Sequence, residues 1–217
     1  MQQPLFVGRP VLVVVDIQTA GAMPPEIAGM EFMPGFEGRV ERAGQLVAAA
    51  RAAGIPIVFF QEVHRPSGID FGRELDGAEG PHCVAGAPGT DLVPSLRPDP
   101  AADDREFHIV KRRYSGFIGT EFEIVLRGLQ AQTLVLIGGL TDVCVHYTFA
   151  DAHQRDYYVR VVTDCVGGSS QYRHDAALDA MEYLQTGAQR TTDEILAAFG
   201  EIAANATSTP VLEGAAR

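Results

Sequence analysis

The chain has 217 residues, 46% of them hydrophobic, which is ample for a buried core, and we expect one domain over residues 1–217 with a flexible tail from about residue 205. Its net charge of −11 argues against nucleic acid, because binding to phosphate rests on Lys and Arg displacing counterions. Val11 to Val15 is closed at once by Asp16, too short for a signal peptide or a membrane span, so a cytoplasmic protein is expected. Cys83, Cys144 and Cys165 are odd in number and lack CxxC spacing, which disfavours a disulfide framework and a structural zinc site.

Val11-Leu-Val-Val-Val15 has the continuous β-branched character of a strand covered on both faces, and it ends at Asp16-Ile17-Gln18. Residues 19–35, rich in Gly, Pro and Met, read as a loop. Val40, Ala43, Leu46, Val47 and Ala50 then mark one helical face, stopped by Gly54 and Pro56. Ile55 to Phe60 is a second buried strand. The stretch from Gln61 to Pro100 has many Gly and Pro and little periodicity, and loops of that length in compact domains usually carry function.

Phe107 to Val110 reads as a third strand with the charged tip Lys111-Arg112-Arg113. Thr120-x-x-Glu123 has the spacing of a capping box, before a helix that buries Phe122, Val125, Leu126 and Leu129. Thr133-Leu-Val-Leu-Ile137 is the central strand, ended by Gly138-Gly139, and a helix is expected from about Asp142 to Arg155. A strand at 158–163, a helix at 173–185 and a last helix capped by Thr191-x-x-Glu194 and running through Phe199 complete the chain. Strand and helix alternate throughout. This implies a three-layer α/β/α fold, doubly wound on a mainly parallel sheet, with right-handed crossovers.

In such sheets ligands bind beyond the carboxyl ends of the strands, where the strand order switches. Asp16, Glu62, Lys111 and Cys144 all fall just past predicted strand ends. Cys144 also opens a helix after a glycine turn, where outward N–H groups and the helix dipole favour a thiolate and an oxyanion. Lys111 could supply a neighbouring charge and Asp16 could exchange the thiol proton. On spacing alone, a surface Lys111–Asp16 ion pair beside a merely buried Cys144 fits equally.

Val13-Val-Val-Asp16-Ile-Gln18, Lys111-x-x-Tyr114-Ser-Gly-Phe117-x-Gly-Thr120 and Gly138-Gly-Leu-Thr-Asp-Val-Cys144-Val resemble, in order, three signature segments of the isochorismatase-like cysteine hydrolases. That superfamily includes nicotinamidases, N-carbamoylsarcosine amidase, and ureidoacrylate and biuret hydrolases. The resemblance implies an Rossmann-like isochorismatase fold and a catalytic triad of Asp16, Lys111 and Cys144. It also implies a cis peptide between Gly139 and Leu140, an oxyanion hole from the N–H groups of Leu140 and Cys144, and a homo-oligomer, dimer or tetramer. The implied activity is that of an amidohydrolase on a small amide, carbamoyl or ureide, through a thioester and without a required cofactor. Vinyl-ether hydrolysis of the isochorismatase type, a nicotinamidase, and a non-catalytic module on the same fold are the alternatives.

Glu62, His64 and His82 are ligand types suited to a divalent ion such as Zn, Mn or Fe. They resemble a nicotinamidase metal site in which Glu62 replaces an Asp. No Trp is present and Thr19-Ala20-Gly21 stands where nicotinamidases carry an aromatic, so a smaller or more polar amide is expected. Gln18, Arg65, Arg113, Tyr114 and His146 are candidate substrate contacts, and Cys165 is the rival nucleophile, without a glycine turn to frame it.

Overall fold

The computed structural model describes residues 4–208, with side chains left undescribed at position 103 and at 206–208. Six parallel strands are β1 (Arg9–Val15), β2 (Ile57–Glu62), β3 (Glu106–Lys111), β4 (Ala131–Gly139), β5 (Tyr158–Gly167) and β6 (Gln189–Arg190), in the order β3-β2-β1-β4-β5-β6. The order reverses between β1 and β4. The helices are α1 (Pro25–Ala28), α2 (Phe36–Ala52), α3 (Phe122–Gly128), α4 (His146–His153), α5 (Gln171–Leu184) and α6 (Thr192–Ser208).

Alternation along β1 explains the three layers. Val11, Val13 and Val15 pack with α3, α4 and α5 through Phe122, Leu126, Phe149 and Met181. Leu12 and Val14 face the other way, onto Leu46 and Val47 of α2 and Ile195 and Phe199 of α6. A strand buried on both faces must be apolar at every position, as this one is. The expected α/β/α, doubly wound sheet is the observed one.

Several local expectations need correction. Lys111 is no charged tip: it is the last residue of β3 and 1% exposed. The capping box at Thr120 does not form, because the Thr120 hydroxyl donates to Gly116 O and accepts from Phe122 N, while Glu123 pairs with Arg127. The box at Thr191 does form: Thr191 N donates to Glu194 Oε2 at 2.8 Å and Glu194 N to Thr191 Oγ1 at 3.3 Å. The helix it starts runs to Ser208, so 205–208 is helical where a tail was expected; 209–217 lies outside the described residues. The helix expected from Asp142 opens as a π turn, Thr141–Val145, before α4.

The turn after β4 is built on Gly138. Its φ is +112°, and a Cβ there would lie 2.0 Å from Val15 O. Only glycine lets β4 close against β1 at this point while the chain turns toward Cys144.

Candidate active site

The strand ends deliver the candidate residues to the switch point. Asp16 follows β1, Glu62 and Lys111 end β2 and β3, and Cys144 sits in the π turn after β4. Side-chain atoms of Asp16, Glu62 and Cys144 lie within 4.8 Å of one another. The Lys111 ammonium is 2.8 Å from Asp16 Oδ2 and 2.7 Å from Glu62 Oε2, and it donates to Cys144 Sγ at 3.3 Å. The thiol in turn donates to Glu62 Oε2 at 3.4 Å. Apart from this Lys111 ion pair, neither buried Asp16 oxygen has a hydrogen-bond partner among the described residues.

The electrostatics follow from this packing. Burial opposes charge on Lys111, but Asp16, Cys144 and Glu62 outweigh it and hold the ammonium well above its ordinary range. Burial pushes Cys144 well up, and Lys111 only partly offsets this, so the resting thiol is neutral. The two carboxylates diverge. Burial lifts Asp16 to about 6 against the pull of Lys111, with Glu62 adding to the rise. Burial also acts on Glu62, yet Lys111 and hydrogen bonds from His64 and His82 bring it well below the usual range. Asp16 is therefore the carboxylate whose proton affinity matches a base near neutrality, although the thiol hydrogen bond goes to Glu62.

Gly139–Leu140 is cis. Among the described residues the Leu140 N–H donates to no backbone group, while its carbonyl accepts from Val143 and Val145. Leu140 and Cys144 both line a cavity of about 720 Å³, counting the space at its open mouth. Thr141 Oγ1 meets His174 Nδ1 at 2.9 Å, and Asp142 accepts from the N–H and hydroxyl of Ser169, so the turn is tied to α5 and to the segment after β5.

The predicted substrate contacts fare differently. Tyr114 lines the cavity and donates to Glu79 Oε2 at 3.0 Å. Gln18 also lines it, but its amide is spent: Nε2 donates to Glu62 O and Thr90 O, and Oε1 accepts from Glu62 N. It braces the ends of β1 and β2. Arg65 lies outside the cavity lining, 67% exposed and 3.6 Å from Asp70. Arg113 is also outside, bonded to Asp70 O, and His146 starts α4 without reaching the cavity.

Three lining residues, Glu79, Arg39 and Phe36, carried no signal in the sequence. Phe36 supplies an aromatic wall from elsewhere in the chain: its ring fills the space above Gly21, where a Cβ would lie 2.2 Å away, and Phe32 and Tyr114 add to it.

Glu62, His64, Glu74 and His82 are all buried, each offering one ligand atom within 4.8 Å of the others. His64 Nε2 lies 3.1 Å from Glu62 Oε1 and 3.0 Å from Glu74 Oε2, and His82 Nε2 lies 3.1 Å from Glu62 Oε1. His82 Nδ1 is held by Gly80 O at 2.8 Å, the kind of outer contact that orients a ligating imidazole. Apart from the His64 ion-pair contact, neither Glu74 oxygen has a hydrogen-bond partner among the described residues. The donor set fits a divalent ion, and Glu74 joins the three residues expected. Burial opposes protonation of His64, but the carboxylates of Glu62 and Glu74 raise it to about 9.

Residues 10–194 match the Isochorismatase domain. The chain belongs to the isochorismatase family. It is 33% identical over 180 residues to the ureidoacrylate amidohydrolase RutB of Pseudomonas savastanoi pv. phaseolicola, covering 72% of this chain and 70% of that one. It superposes on an isochorismatase-like hydrolase from Alkaliphilus metalliredigens with a TM-score of 0.75 at 26% identity, covering 88% and 100% of the two chains. N-carbamoylsarcosine amidase from Thermoplasma acidophilum gives 0.68 at 27% identity, covering 86% and 98%. Within the family the protein is a cysteine amidohydrolase, a hydrolase of C–N bonds other than peptide bonds. Vinyl-ether hydrolysis, a nicotinamidase and a non-catalytic module are not favoured.

Proposed function

We propose that this amidohydrolase cleaves a small amide, carbamoyl or ureide through a thioester on Cys144, with Asp16 as acid and base and Lys111 as a fixed positive charge. The observation that carries this reading is one buried ammonium lying 2.8 Å from Asp16 and 3.3 Å from the Cys144 sulfur, beside a cavity. Substrate displaces water from that cavity. Asp16 takes the thiol proton, and the thiolate, stabilised by Lys111, attacks the carbonyl carbon. The oxyanion is received by the N–H groups of Leu140 and Cys144. Asp16 then protonates the departing ammonia or amine, accepts a proton from water, and that water cleaves the thioester to release an acid. Ureides of the ureidoacrylate kind fit this scheme.

A base with a pKa of about 6 works only when ionised. The profile of kcat/KM should therefore hold above pH 6 and fall as pH drops through about 6. Asp16→Asn should lower kcat by roughly 10²–10⁴-fold and abolish that acid limb, the range for loss of a general acid–base. An unchanged acid limb in Asp16→Asn would assign the proton transfer elsewhere, with Glu62 next in line.

Glu62, His64, Glu74 and His82 would hold a divalent ion, which would supply a Lewis acid beside the cavity. The cysteine chemistry needs none, so ammonia release after exhaustive chelation should stay close to its starting level. Loss restored by added Zn or Mn would bring the ion into the reaction. No helix among the described residues is long and apolar enough to cross a membrane. We read the protein as a single-domain cytoplasmic enzyme and, by family resemblance, a homo-oligomer.

A further inference from the structure

The cavity has two electrical poles. Around Cys144 it is acidic, lined by Asp16, Glu62 and Glu79. Arg39, in the first turn of α2, lines the same cavity from another wall. Its NH1 donates to Pro34 O at 2.7 Å and its NH2 to Met33 O at 3.0 Å, which leaves three of the five guanidinium donors without a partner among the described residues. No carboxylate among the described residues lies within ion-pair distance. Glu37, which acts on it only at longer range, is exposed.

The fold makes room for this cation. A Cβ at Gly167 would lie 2.4 Å from Arg39 Nε, so the guanidinium packs directly on the backbone at the end of β5. Gly167 pairs with Gly139, the residue before Leu140. Adjacent strands are spaced about 4.8 Å apart, so Arg39 stands roughly one strand beyond the turn that faces Cys144. Met33 N donates to Gly168 O at 2.9 Å, pinning the loop before α2 to the same segment.

We propose that Arg39 receives a carboxylate carried by the substrate, so that the preferred substrates are amides or ureides whose far end is anionic. This rests on the scissile carbonyl being seated at Cys144. An anion placed the other way round would meet Asp16, Glu62 and Glu79. A planar carboxylate, in contrast, matches the guanidinium fork, and Phe36 and Val40 from the same helix supply an apolar wall along its route.

Binding is measured by calorimetry on Cys144→Ala protein, which cannot turn the probes over, using two acids of different reach. Maleamate is compared with maleamide, and 3-ureidoacrylate with its neutral carboxamide. At least one acid should bind ten-fold or more tighter than its neutral partner. Adding Arg39→Gln should erase that preference while leaving the neutral partner's affinity unchanged, and Arg39→Lys should restore part of it. No preference in either pair, a preference that survives Arg39→Gln, or equal loss for acid and neutral compound would overturn the proposal, the last marking Arg39 as only a clip for Met33 and Pro34. Turnover of the same four compounds by the native protein is scored separately: ammonia or amine release from neutral compounds alone upholds the amidohydrolase scheme while this inference fails.

Discussion

Cys144→Ala should lower ammonia release by about 10⁴-fold or more, the scale expected when a covalent nucleophile is removed from a cooperating set. Cys83→Ala and Cys165→Ala should leave it near the native rate. Position alone does not separate the three, since all of them line the same cavity. Their partners do. Cys144 receives a hydrogen bond from a buried ammonium. Cys83 is pushed well up by burial, with Glu62 and Asp16 adding to the rise, and among the described residues its sulfur hydrogen-bonds the Gln18 amide. Cys165 is buried, raised to about 12, and donates to Arg39 O at 3.6 Å. Asp164 adds to the rise at Cys165 and the cations Arg42 and Arg39 only partly offset it, as Lys111 only partly offsets it at Cys83; among the described residues neither sulfur has the ammonium hydrogen bond that helps hold a thiolate near neutral pH. Steady-state release of ammonia from a cognate amide by the three variants checks this, and full activity in Cys144→Ala would end the scheme.

Lys111→Ala should be inactive and also markedly less stable. Its ammonium lies between Asp16 and Glu62, at 2.8 and 2.7 Å. Without it two buried carboxylates face each other and the thiol, with His64 and His82 left to compensate Glu62. Removing one partner from a buried ion pair costs about 3–5 kcal/mol because the charge left behind is uncompensated. The sign with pH is fixed. Asp16 is already raised to about 6 by burial against the pull of Lys111, so in the variant its folded-state pKa lies above its unfolded one, protonation favours the fold, and the deficit against the native protein should shrink as pH falls from 7 toward 4.5. Urea midpoints at the two pH values measure it. Equal midpoints for variant and native protein at pH 7 would mean that Lys111 is not the counterion of this cluster.

The two central strands, β1 and β4, were legible because their middles are buried on both faces. Val11–Val15 and Leu134–Ile137 admit no polar residue, and the carboxyl ends of such strands locate a site. Lys111 was harder to read: an exposed edge strand, with Val110 38% exposed, hides the fact that its last side chain turns inward. β6 is two residues long and leaves no periodic trace. α6 runs past Phe199 because Ala203, Ala204 and Ala206 are strong helix formers, although a run of small residues reads as a tail.

What stayed hidden in the site has a common cause. Glu74 and Glu79 lie in the aperiodic stretch between β2 and β3, where no spacing rule fixes direction. Phe36 and Arg39 belong to a helix whose apolar face was read correctly from Val40 to Ala50, yet their side chains point along the first turn into the cavity. They reach it only because Gly21 and Gly167 leave space for them. Such pairings between distant residues carry no local signature. Arg65, Arg113 and His146 erred the other way: closeness in sequence to signature segments placed them beside the site, and Asp70 or the start of α4 holds them outside it.

The covalent claim is tested most directly by acid-quenching the native enzyme during turnover of a cognate amide and mapping its cysteine peptides by mass spectrometry. The account predicts an acyl or carbamoyl adduct on the peptide containing Cys144, absent before substrate is added and absent in Cys144→Ala. Turnover with no adduct at any time, or an adduct on Cys83 or Cys165 instead, would contradict it.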